Sequence, residues 1–352
     1  MMDVLKKGGF LNRAAAASET LLRNGDISDM EYLFIHRCAD ACNSNGCEDG
    51  LDAAFSGFRA INNALFEFIS NANSDARPSE VSLDILGQVS ALKRAAHAAG
   101  SSINKITVDV LDAFNDTLIG IYKEAIMVGS NDEEVFTVFA HGAMCITQTF
   151  SSFADHNQFK SKRFAGMNST LLNLGGVMEA ADNRYGPFHA FAMHLASLNA
   201  LHGFYDKVKG LDSSLDEFTG VADSAILALL SLTEELNGIM PIDTGSADRF
   251  KTMLGIQFGG LAFLREFARR IYETDKGSAS KEDISEDLLD EIKAHVGRSD
   301  DKEYFSFYMW ALALLSYGFM RGIDGRFSDG LERAIAGTGM TDYNDMLRGA
   351  GG

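Results

Sequence analysis

The chain has 352 residues, of which 46% are hydrophobic, and a formal net charge of −18 at pH 7. This length and apolar content suffice for a substantial core, which argues against a disordered chain. The acidic balance excludes a surface that is basic throughout, but it leaves room for one locally basic groove. Four cysteines are too few for a disulfide scaffold, and no N-terminal stretch has the apolar centre of a signal peptide. We therefore expect a reducing, intracellular setting.

Apolar residues recur at helical spacing along the chain, and this pattern predicts an all-α fold. Examples are the stretches Leu51 to Phe68 and Leu215 to Leu232. No sustained two-residue alternation predicts a strand. In chain order, Gly25 suits the end of a first helix, and the capping-box sequences Ser28 to Glu31 and Ser214 to Glu217 predict helix starts. The three prolines predict helix starts or linkers at Pro78, Pro187 and Pro241.

The stretch from Asn237 to Ser246 is the best candidate for a domain boundary. It contains two glycines and a proline between strongly helical segments. It predicts a two-lobed bundle, with one helical lobe over residues 1–240 and a second over 241–352 that ends in a flexible tail. The most hydrophobic run, Phe305 to Met320, has 16 residues, whereas a membrane-spanning helix needs about 20. We expect it to be a buried core helix, with no membrane contact.

Two clusters of polar side chains raise the question of metal binding or catalysis. His202 and Asp206 are one helical turn apart, as in an oriented general base, but no nucleophile or second acidic cluster lies near them in sequence. The spacing of the other cluster does not match that of paired zinc ligands. Its members are His36, Cys38, Cys42 and Cys47. We expect no metal, no cofactor and no enzymatic activity. An enzyme that uses His202 and Asp206 ranks third, after the two hypotheses given at the end of this section.

A basic stretch stands out against the overall acidity. Between His156 and Lys209 the chain has six lysines and arginines against three acidic residues, interleaved with Phe159, Phe164 and Tyr185. Cations paired with rings suit the phosphates and bases of single-stranded nucleic acid. A second basic set follows the predicted boundary. The residues that we predict to contact RNA are Lys160, Lys162, Arg163, Arg184, Arg265, Arg269 and Arg270. An ordinary solvated helix face is the alternative interpretation of such charges.

Two regions of the chain resemble nucleoproteins of non-segmented negative-strand RNA viruses, the bornavirus-like ones especially. The first comprises Val135 to His141, Phe159 to Phe164 and Met167 to Leu172, and the second comprises Tyr304 to Trp310 and Gly318 to Gly322. The resemblance implies a two-lobed helical protein that clamps single-stranded RNA between its lobes and exchanges terminal arms with its neighbours. It also implies that the three basic residues within Phe159 to Phe164 contact phosphates.

The leading hypothesis is a non-enzymatic nucleoprotein that forms homo-oligomers along single-stranded RNA, in the cytoplasm or nucleus of a host cell or in a virion. The segments that we expect to exchange between copies are Met1 to Asn12 and Thr338 to Gly352, because chain ends are often weakly anchored. The alternative is an acidic helical adaptor or immunity-type protein that binds a basic protein partner. An adaptor of this kind needs no nucleic acid.

Overall fold

The structure is a computed structural model that describes residues 9–45, 51–71, 77–128, 131–153 and 162–239, and positions 250, 253–255, 257, 260, 261, 264 and 265. Within these ranges the chain is almost entirely helical and contains no strand, which confirms the predicted all-α class. The helices are α1 (Phe10–Asn24), α2 (Asp29–Asn45), α3 (Leu51–Asn71), α4 (Pro78–Ala98), α5 (Lys105–Val128), α6 (Asp132–Phe153), α7 (Lys162–Tyr185), α8 (Pro187–Val208) and α9 (Ser213–Ile239). No helix in the described part of the chain is long and apolar enough to cross a membrane.

The first helix end and the first capping box follow the sequence signals. Gly25 ends α1 with a φ of 75°, in the left-handed region that glycine adopts at little cost, and its N–H donates to carbonyls of the last turn. The Ser28 N–H donates to Glu31 Oε2 at 2.7 Å, and the Glu31 N–H donates to Ser28 Oγ at 3.3 Å. These two bonds are the reciprocal pair of a capping box, so the predicted start of α2 is confirmed.

The later helix starts are confirmed in part. Pro78 and Pro187 are the first residues of α4 and α8, as predicted, whereas Pro241 lies outside the described residues. The second predicted capping box is wrong, because α9 begins before it and Asp212 provides the cap. The Asp212 carboxylate accepts a hydrogen bond of 2.8 Å from the Ser214 N–H. Asp212 therefore caps α9, which begins at Ser213.

The chain forms two compact units that alternate along the sequence. Unit 1 comprises Met1–Lys160 and Ala192–Gly220, and unit 2 comprises Ser161–Phe191 and Val221–Gly352. Helices α8 and α9 each begin in one unit and end in the other. A continuous stretch of chain therefore does not define either unit. The predicted division at residues 240 and 241 falls among positions outside those described, and it stays a prediction.

Phenylalanine rings from several helices meet in the core of unit 1. The Phe150 ring of α6 lies 5.7 Å from Phe55 and 4.9 Å from Phe58, both of α3, and 4.7 Å from Phe204 of α8, measured between ring centroids. Phe58 in turn lies 5.2 Å from Phe114 of α5. All five rings are buried. The part of α8 that belongs to unit 1 therefore packs into the same core as α3, α5 and α6.

The start of α1 is anchored more firmly than the sequence predicts. Phe10 and Leu11 are buried, and the Phe10 ring lies against Gly57 of α3. Asn12 exchanges side-chain hydrogen bonds with Asn43 of α2 at 2.6 and 3.0 Å. The prediction that Met1 to Asn12 is weakly anchored is therefore wrong for its last three residues, because these residues pack into unit 1. The other predicted arm, 338–352, lies outside the described residues.

We expect Gly57→Ala to lower the free energy of unfolding by about 1–3 kcal/mol, the usual cost of overpacking a core. A Cβ at Gly57 would lie 2.2 Å from Phe10 Cε1, so the buried ring would have to move. Gly120→Ala in α5 is the matched control, because a Cβ there meets nothing within 4 Å. It should raise stability by about 0.5–1 kcal/mol through helix propensity. Urea denaturation measures the free energy of unfolding of both variants. Equal changes in this free energy would contradict the packing of Phe10 on Gly57.

Candidate nucleic-acid interface

Helix α7 carries predicted RNA-binding residues at its two ends. Lys162 and Arg163 are its first two residues, and Arg184 is its last but one. A helix rises about 1.5 Å per residue, so about 33 Å separates Lys162 from Arg184 along the axis. These residues therefore form two separate groups and not a single patch. Lys160, the remaining member of the N-terminal group, lies outside the described residues.

Two described residues that follow α9, Phe250 and Leu261, pack within unit 2 on α7 and on the start of α8. A Cβ at Gly175 would lie 3.9 Å from Leu261 Cδ1, and the Phe250 ring lies 4.8 Å from that of Phe188, just beyond the end of α7. The later of these residues, Leu261, lies against the earlier position, Gly175, and the earlier one, Phe250, lies against the later position, Phe188. The two stretches of chain therefore run in opposite directions between these two contacts.

The second basic set, Arg265, Arg269 and Arg270, begins shortly after the contact between Leu261 and Gly175. Arg265 is exposed and comes shortly after Leu261, the residue that lies against Gly175 of α7. Arg265 and α7 belong to the same compact unit. Arg269 and Arg270 lie outside the described residues.

At the other end of α7 the chain turns sharply into α8. Gly186 has a φ of 84°, and its N–H donates to the Asp182 carbonyl at 3.0 Å, so that α8 begins at once with Pro187. The Arg184 guanidinium carbon lies 5.1 Å from the centroid of the Tyr185 ring, within the range of a cation–π contact. The turn thus presents a cation and an aromatic ring together.

Two residues of α8 extend this surface. The His189 ring lies 6.5 Å from that of Tyr185 and 5.3 Å from that of Phe188. Phe188 is 46% exposed, although its ring stands edge-on at 4.8 Å to Phe250, which is buried. We refer to Arg184, Tyr185, Phe188 and His189 as the aromatic corner. Sequence reasoning singled out its first two members but missed the other two, because only the turn at Gly186 brings them together.

The charge around the aromatic corner is mixed. Glu179 and Asp182 precede Arg184 in the last two turns of α7. A cation in the last turn also stabilises the helix dipole, which gives Arg184 an ordinary structural role. The adjacent aromatic rings, and not a net positive charge, are therefore the distinguishing feature of the aromatic corner.

Two of the described cysteines, Cys38 and Cys145, are buried free thiols. Burial raises the pKa of the Cys38 thiol, and it raises the pKa of Cys145 to about 12 against the smaller lowering effect of Thr149 and Ser197. Cys42 is disulfide-bonded, which departs from the expectation of reduced cysteines. Among the described positions, no three His, Cys, Asp or Glu side chains are grouped to hold a metal ion.

Helix α8 places His202 and Asp206 one turn apart, as their spacing predicts. His202 is half-buried and Asp206 is exposed. Neither observation supplies a nucleophile or a substrate pocket, so catalysis by this pair stays a hypothesis.

A charged network that the sequence did not suggest joins α4 to α5 in unit 1. His97 Nε2 lies 2.8 Å from the Asp112 carboxylate, and Lys93 Nζ lies 3.7 Å from Asp112 and 3.5 Å from Asp116. Partly exposed ion pairs contribute at most about 1 kcal/mol each. Their main consequence is that these carboxylates are already paired, which weakens this face as a docking surface for a basic protein.

The chain matches no protein-family model, no curated protein sequence and no solved structure. Its function must therefore be inferred from its own residues.

Proposed function

We propose that the protein is a non-enzymatic nucleoprotein that assembles along single-stranded RNA. The observation that carries this proposal is the packing of two distant basic segments in one compact unit. Arg265 is exposed and follows Leu261, which lies against Gly175 of α7, the helix that begins with Lys162 and Arg163. Several cations along one helix pair provide the phosphate contacts that dominate affinity for nucleic acid.

The acidity of the remaining chain is compatible with this role. With a net charge of −18, most of the protein surface repels a phosphate backbone. RNA is then confined to the surface where cations cluster, and proteins that bind single strands gain affinity by binding side by side. The resemblance to viral nucleoproteins supports the same role. The adaptor alternative rests on the net charge of −18 alone.

Fluorescence anisotropy with a labelled oligouridylate of about 12 nucleotides tests the proposal, since single-strand sites span about 4–16 nucleotides. We expect binding that weakens linearly in log affinity against log salt between about 50 and 200 mM. With a strand long enough for two copies of the chain, light scattering should give a mass above twice 38.2 kDa. Protein purified without nuclease should show a raised ratio of absorbance at 260 to 280 nm. An adaptor would bind no RNA even at the lowest salt, and that result would refute the proposal.

A further inference from the structure

We infer that the aromatic corner is a base-stacking site, at which an unstacked RNA base stacks on the Phe188 ring, next to His189 and Arg184. The inference rests on the proposed function, because it requires RNA to reach α7. It adds a base-stacking contact to that function, and it adds Phe188 and His189, which the basic pattern does not identify. The strand would be held by its phosphates near Lys162 and by a base at the opposite end of the helix.

The first supporting observation is the exposure of the rings. Phe188 is 46% exposed, and the neighbouring Tyr185 and His189 are partly exposed. The Tyr185 and Phe188 rings lie 6.5 and 5.3 Å from that of His189, measured between centroids, and are inclined to it by 51° and 84°. A single exposed phenylalanine is unremarkable, but three adjacent and partly exposed rings offer ring faces in more than one direction.

The second observation is the rigidity of the support beneath the rings. Phe250 is 3% exposed and contacts both Phe188 and the buried Phe191, with centroids 4.8 and 6.1 Å apart. The left-handed turn at Gly186 follows Tyr185 directly and leads into α8. A ring that is already held in place loses little conformational freedom when a ligand stacks on it.

The third observation is the cation beside the rings. Arg184 lies 5.1 Å from the Tyr185 ring, and a planar guanidinium stacks on aromatic faces and also attracts phosphate. Bases stack on aromatic side chains whatever their sequence, because every base has a π face. At about 3.4 Å per nucleotide of a stacked strand, about ten nucleotides span the 33 Å or so between Lys162 and Arg184, which falls within ordinary site sizes.

The test compares oligouridylate with an abasic oligomer of the same length and charge, using anisotropy at one fixed salt concentration. Wild type should bind the base-containing strand between about fivefold and a hundredfold more tightly, the range of single-base stacking. Phe188→Leu retains the apolar contact with Phe250 but removes the ring, so this preference should fall while the salt slope stays unchanged. Phe188→Tyr should retain the preference. Leu227→Ala is the control, because Leu227 is another exposed apolar residue of unit 2, 42% exposed.

Arg184→Lys provides a second variant that keeps the charge and removes the planar stacking group. It should lower the preference for bases without changing the salt slope. This variant tests the inference independently if circular dichroism shows that Phe188→Leu alters the fold. Equal binding of both oligomers by wild type would overturn the inference while leaving the proposed function standing. Loss of self-association in Phe188→Leu with an intact preference would also overturn it and assign the corner to contacts between copies. A wild type that binds neither oligomer would instead refute the proposed function.

Discussion

Replacing Lys160, Lys162 and Arg163 together with alanine is expected to reduce the salt slope of RNA binding by about two units. Each neutralised phosphate contributes about 0.7 to the slope for single strands, and three contacts are removed. Affinity should fall for every RNA sequence tested, because phosphate contacts carry no sequence information. Stability should change by no more than about 0.5 kcal/mol if the side chains lie at the surface. Anisotropy titrations at several salt concentrations measure slope and affinity together.

A control with the same charge change separates a local effect from a general one. Arg37, Lys105 and Lys123 are exposed residues of unit 1, far in sequence from α7. Replacing these three with alanine also changes the net charge from −18 to −21, by the removal of three positive charges. This variant should keep nearly the wild-type slope. If both triple variants lose slope equally, the first three residues are not the phosphate site.

Phe150→Ala is expected to lower the free energy of unfolding by about 3–5 kcal/mol, the usual cost of deleting a buried aromatic ring. Phe150 is fully buried and contacts rings of both α3 and α8. Its removal would therefore open a cavity between helices that are distant in sequence. Urea denaturation followed by circular dichroism at 222 nm, a wavelength that reports helix content, measures the loss.

Ile126→Ala in α5 serves as the comparison, because Ile126 is 52% exposed. It should change the stability by no more than about 0.5 kcal/mol. The contrast between the two substitutions tests the aromatic core of unit 1 directly. A loss below about 1 kcal/mol for Phe150→Ala would mean that the ring lies in a loosely packed region, since typical core truncations cost more.

The local features of the fold could be read from the sequence because short-range interactions determine them. The helical class follows from the spacing of apolar residues, and the end of α1 follows from the conformational freedom of Gly25. The capping box at Ser28 and Glu31 depends on residues three apart. At α9 the same reasoning failed, because Asp212 and Ser214 both suit an N-cap and the earlier one, Asp212, provides the cap.

The candidate site was predicted only in part. Sequence reasoning selected Lys162, Arg163 and Arg184 by their proximity in the chain, but a single helix separates them by about 33 Å. Arg265 was selected by composition, and nothing in the sequence indicates that Leu261 lies against Gly175 in the same compact unit. Sequence reasoning missed Phe188, whose exposure depends on how it stands over Phe250.

The sequence by itself determined that this protein is helical and where several helices begin and end, since hydrogen bonds and side-chain contacts within a few residues settle both. Only the tertiary structure decided that α8 and α9 pass between two compact units, and that Phe150 joins α3 to α8 in one core. It alone brought Phe250 beneath Phe188 at the end of α7. Those arrangements depend on contacts between residues far apart in the chain, and the many packings available to amphipathic helices leave them undetermined by local pattern.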